Sequence, residues 1–90
     1  MAFVGMDIGQ VDALGRKLQG QAQQLDAAIR AIEGLVQQSQ GVWKGADASQ
    51  FAGWWQQQHK PALMAARDAI NGLGQSAINN AKDQQGVTSR

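Results

Sequence analysis

The sequence has no cysteine, no tyrosine and a single proline, Pro61, and it has no apolar run approaching the roughly 20 residues that span a bilayer. Without cysteine there can be no disulfide to staple a short chain and no thiolate metal site. With one proline, long stretches are free of the strongest helix breaker. The charge is also nearly balanced: eight Lys and Arg against seven Asp and Glu give a net charge of +1, with the basic residues scattered. That lacks the clustered basic excess that phosphate backbones demand, so nucleic acid is not an expected partner. Met1 to Met6 is apolar but far shorter than a signal-peptide core, and Asp7 follows it directly. By these rules the protein begins in the cytoplasm, and any export uses something other than an N-terminal signal.

What is present is helical in flavour: fifteen glutamines, abundant alanine and 90 residues in all, enough for one domain. A chain this short buries only about 60 to 65% of the surface its unfolded form exposes, so a lone fold is marginal. From Asp7 to about Gln40, the residues Ile8, Val11, Leu18, Ala22, Leu25, Ile29, Ile32 and Val36 recur in three- and four-residue steps, interrupted only by Gly15. This is the seam of one long amphipathic helix, about 50 Å long at 1.5 Å per residue. Leu14, Ala28 and Leu35 widen it, and Asp7 is placed to cap its first turn. If the chain bends near residues 43 and 44, Gly15 falls opposite Gly72 and Gly34 opposite Gly53, either as tolerated weak points or as sites of close helix approach.

The seam stops at Gly41-Val42-Trp43-Lys44-Gly45-Ala46-Asp47, where two glycines bracket a tryptophan and can close a helix or turn a loop. Asp47 then offers an N-cap for a second helix, about 48–83, with Phe51, Trp55, Ala62, Ala66, Ile70, Leu73 and Ala77 on one face and a tail over 84–90. Pro61 inside it predicts a kinked single helix, or, as the second reading, a break at Lys60. With that face turned inward, Trp54, Met64 and Ile78 point well away from it. The expected fold is therefore all-α, an antiparallel two-helix hairpin forming a single domain over 1–90. A hairpin encloses no core, so its apolar flanks stay wet until another chain covers them, most simply a second hairpin that completes a four-helix bundle. The residues expected to pack on a partner are Leu14, Leu18, Leu25, Ile29, Ile32, Phe51, Trp54, Trp55, Ile70 and Leu73.

No catalytic or metal-ligating set emerges, so neither an enzyme nor a cofactor is expected. His59 is the only histidine, and its helical neighbours Trp55 and Leu63 are apolar, which leaves it a structural or surface residue. The four serines lack a histidine-plus-acid context. Gly72-Leu73-Gly74 lacks the preceding strand and full glycine spacing of a phosphate loop. The three tryptophans fall within 13 residues, but too few Lys and Arg ring them for a membrane-interface belt.

Trp43-Lys44-Gly45 at the midpoint of a cysteine-free helical chain, followed by Asp47, Phe51 and Trp55, resembles the WxG family of small type VII secretion substrates, the relatives of the early secreted antigenic target. The resemblance covers nearly the whole chain. It implies a helical hairpin that pairs with itself or with a paralogous WxG protein. It further implies export, folded and paired, by a type VII (ESX-like) machine driven by a membrane ATPase, without a signal peptide. Trp43 and Gly45 match the family's bend motif. Family export signals often place a tyrosine four residues before an acid after the second helix. Here Asn79 and Asp83 have that spacing, with asparagine in the tyrosine's place. Either the signal is degenerate or a tyrosine-bearing partner carries it. The alternatives to a secreted substrate or co-substrate are a secretion chaperone for a larger toxin and a membrane-active helical effector.

Overall fold

The computed structural model describes residues 7–88, with side chains through Gly86; Met1 to Met6 and the last residues of the expected tail, 89–90, lie outside the described residues. The described chain is helical almost throughout: α1 (Ile8–Val42), α2 (Ala46–Trp54), a π-helical turn (Trp55–His59) and α3 (Lys60–Thr88). Only Asp7 and the three residues Trp43, Lys44 and Gly45 are non-helical among them. α1 begins as expected, with Asp7 Oδ1 accepting the Gln10 backbone N–H at 3.0 Å and so satisfying one of the free amides of the first turn.

At the bend, the Trp43 N–H still donates to Ser39 O at 2.8 Å, a last α-type bond, while the Lys44 ammonium caps the free Gln40 carbonyl at 2.8 Å. Gly45 then takes φ 112°, ψ −177°. That conformation is essentially glycine-only, because a Cβ there strains the backbone. It is the one positive φ among the described residues. The Gly45 carbonyl accepts the Ser49 N–H at 3.2 Å, so the second helix starts at Ala46 with Gly45 as its N-cap. Asp47 is therefore not the cap that the sequence suggested. It lies inside the first turn, where its charge favours the positive end of the helix. At the other end, α3 continues through 84–88, where a loose tail was expected.

Pro61 neither breaks the helix nor stands alone. Immediately before it the backbone widens into the π turn, and the Lys60 N–H reaches back five residues to Trp55 O. Such a bulge is a recognised way for a helix to accommodate an interruption of its hydrogen-bond ladder. It adds one residue to the turn, which advances every later side chain by one position. The inward face of α3 is thus not the expected Ala62, Ala66 and Leu73. Leu63 and Met64 pack on the core, Gly74, Ile78 and Ala81 are buried, and Leu73 is 61% exposed. Ile78, expected to point away, is only 4% exposed.

The chain groups into two compact units, Gln23–Asp68 and Met1–Ala22 with Ala69–Arg90. In the first, Gln40 pairs with Ala48, Glu33 with Gln56 and Asp26 with Arg67, an antiparallel register about the bend. Its core is Ile29, Val36 and Trp55, flanked by Leu25, Ala52, Leu63 and Met64. In the second unit, Gln19 meets Gln75 and Gly15 meets Gly74, Ala77 and Ile78, again antiparallel. A Cβ on Gly15 would stand 2.6 Å from Gly74 O, and one on Gly74 2.6 Å from Gly15 O. Close approach at Gly15 is real, but its partner is Gly74 rather than Gly72. At Gly34 and Gly53 a Cβ would meet nothing within 4 Å, so that expected pairing is absent.

Candidate interaction surface

Along α1 the buried positions are Gly15, Ala22, Ile29 and Val36, one every seven residues. They divide the helix into two unlike flanks. Roughly 40 to 100° to one side of Ile29 lie Asp26, Arg30, Glu33 and Gln37. On the other side lie Leu25, Ala28, Ile32 and Leu35.

The polar flank of the Gln23–Asp68 unit is closed by its own contacts. Glu33 accepts the Trp55 indole N–H at 2.8 Å, the Gln56 amide on both oxygens at 3.0 and 2.9 Å and the Gln37 amide at 3.0 Å. The Lys60 ammonium stands 2.9 Å from the same carboxylate. These donors, the indole first and Lys60 next, favour the charged form and hold Glu33 down to about 2. Asp26 takes Arg67 at 2.6 Å and Arg30 at 2.9 Å, and the Arg67 hydrogen bond lowers its carboxyl below the usual range. The same contact raises the Arg67 guanidinium. No buried side-chain nitrogen or oxygen among the described residues lacks a partner.

The opposite flank is apolar and open. A groove of about 510 Å³ is lined by Ile32, Val36, Phe51, Trp54, Trp55, Ala62 and Leu63, with His59 the one ionisable side chain among them. Trp54 is 49% and Phe51 41% exposed, so Phe51 lies outside the seam it was expected to fill. The Trp43 ring packs on Phe51, with centroids 5.5 Å apart and planes tilted by 45°, and extends the apolar surface to the bend. In the other unit a groove of about 340 Å³ is lined by Val11, Leu14, Leu18, Leu73, Ser76, Ala77 and Asn80, with no charge.

The expected partner-packing residues therefore divide. Ile29 and Trp55 are buried within the chain; Leu18, Leu25 and Ile70 are half-buried; Leu14, Ile32, Phe51, Trp54 and Leu73 are exposed. Asn79 and Asp83 are both exposed on α3, and Asn79 Oδ1 accepts the Gln75 amide at 3.0 Å. His59 lines the first groove. Sequence reasoning missed Glu33, whose cluster of donors has no local motif. The seven-residue row Asp12, Gln19, Asp26, Glu33 beside the buried positions is the signal that could have marked it. Among the described residues no group of three or more His, Asp or Glu side chains could hold a metal ion, and no helix is long and apolar enough to cross a membrane. No protein-family model matches the chain, and neither a curated protein nor a solved structure matches it.

Proposed function

We propose that this chain is a protein-interaction module: half of a four-helix bundle, completed by a second copy or a paralogous WxG protein. It is not an enzyme. The observation that carries this reading is the uncovered apolar flank. Exposed Phe51 and Trp54 line a groove beside Ile32 and Leu63, while the opposite flank spends its charges on internal pairs. Large apolar side chains clustered in one open groove mark a contact site more often than scattered ones do.

The Trp43-Lys44-Gly45 bend, with its glycine-only backbone at Gly45, supports a more specific reading. On it, the chain is a substrate or co-substrate of a type VII secretion system, exported with its partner by the membrane ATPase. Asn79 and Asp83 are the candidate docking residues for export, and a tyrosine-bearing partner supplies what Asn79 does not. Sedimentation equilibrium tests the shared premise. The wild-type chain should self-associate or require a co-expressed paralogue for solubility, and the Phe51→Ser/Trp54→Ser double variant should lose association while keeping its helical circular dichroism. A wild-type chain that is monomeric and stable across the micromolar range would overturn the proposal.

A further inference from the structure

Apolar side chains are available to the inward face of the second helix in two registers. An unbroken α-helix would seat Trp55, Ala62 and Ala66 against α1. The observed register seats Trp55, Leu63 and Met64. What distinguishes the two is polar. In an α-helix, residues five apart lie about 140° from each other around the axis. In a π turn they are joined by a backbone hydrogen bond and stack on one side. Trp55 and Lys60 are such a pair, at the first residue of the π turn and the first residue after it, with Lys60 N–H bonded to Trp55 O. Their side chains converge on one oxygen, Glu33 Oε1, at 2.8 and 2.9 Å. An α register would carry one of them away from the carboxylate.

We infer that Glu33 is a positioning residue that selects the π register of the second helix, and through it decides which α3 side chains are displayed. The carboxylate lies on the closed polar flank, yet its effect falls on the open one. In the π register Ala62 lines the exposed groove and Arg67 reaches Asp26. In the α register Ala62 and Ala66 turn toward α1, while Leu63 and Arg67 rotate away by about 100°, the Arg67–Asp26 pair parting with them. Pro61 accommodates the bulge without choosing it, since a proline can also be met by a kink in an α register. This assignment is independent of what the surface binds.

The register can be read directly by NMR, through scalar couplings across backbone hydrogen bonds in the full chain. In the wild type, the Lys60 amide couples to the Trp55 carbonyl. In Glu33→Ala, that coupling should be lost and replaced by one to the Gln56 carbonyl, four residues back. Trp55→Phe, which keeps an aromatic ring but removes the indole donor, should shift in the same direction and serves if Glu33→Ala does not fold. Pro61→Ala should keep the Lys60–Trp55 coupling. Retention of that coupling in folded Glu33→Ala or Trp55→Phe overturns the inference. So does its loss in Pro61→Ala, which would assign the π turn to the proline.

Discussion

The two units of this chain are built from the same two helices by opposite means. In Gln23–Asp68 the space between helices is filled by large side chains, Ile29, Val36 and Trp55, and one flank is sealed by charge around Glu33 and Asp26. In the unit formed by Met1–Ala22 and Ala69–Arg90 the buried positions are Gly15, Ala22, Gly74, Ile78 and Ala81. There backbone meets backbone, and Gly15 and Gly74 leave no room for even a Cβ. A filled seam draws its stability from transferred apolar area and is vulnerable to truncation. A close-contact seam draws it from dispersion between atoms already touching, and is vulnerable to enlargement. A heptad pattern that looks uniform in sequence thus conceals two packings with opposite sensitivities.

The largest effect that would sharpen this contrast is truncation of Trp55, the one buried aromatic among the described residues. Trp55→Ala should cost about 3 to 5 kcal/mol, a large part of the stability of a domain that holds about 5 to 15 kcal/mol. Native-state hydrogen exchange should show the loss of protection concentrated in Gln23–Asp68. Equal loss in both units would mean that they open together and that the packing difference has no energetic consequence.

Next comes a pair of identical substitutions with opposite signs. Gly15→Ala drives a methyl against Gly74 O at 2.6 Å and Ile78 Cγ1 at 2.8 Å. It should destabilise by about 1 to 3 kcal/mol despite alanine's better helix propensity. Gly34→Ala enters open space and should stabilise by up to about 1 kcal/mol. Urea denaturation of both variants checks this, and two midpoints moving the same way would erase the contrast.

The helices themselves were legible, because α1's spacing needs no tertiary information: the expected 7–40 is the observed Ile8–Val42 to within two residues. The bend was legible for the same reason, Gly45 being required by its own backbone. The phase of the second helix was not. Reading α3 at 3.6 residues per turn through Pro61 put Leu73 inside and Ile78 outside, and the single extra residue of the π turn exchanged them. Nothing in the local sequence announces that residue. It becomes intelligible only with Glu33 from α1 opposite Trp55 and Lys60, a contact between positions 22 and 27 residues apart. The open groove was half legible: Trp54 was expected to point outward, whereas Phe51 joined it on the flank rather than in the seam.

The smallest effect expected at neutral pH, and the one that separates the charged flank from the apolar one, is the response to acid. Glu33 is held at about 2 against an ordinary value of 4.5, and Asp26 is lowered as well. A carboxyl whose pKa is lower in the folded chain binds fewer protons there than when unfolded. Its contribution to stability is whole above the unfolded value and is lost as pH falls toward the folded one. The thermal midpoint should therefore be insensitive to the titration of Glu33 near neutrality and should fall between pH 4.5 and about 2. Glu33→Gln should flatten that part of the curve, lying below the wild type near neutrality and converging on it in acid. The apolar core carries no such group, so whatever part of the acid limb Glu33→Gln removes belongs to the polar flank. An unchanged acid limb in Glu33→Gln would move that sensitivity onto Asp26 and Arg67, leaving Glu33 to act on register alone.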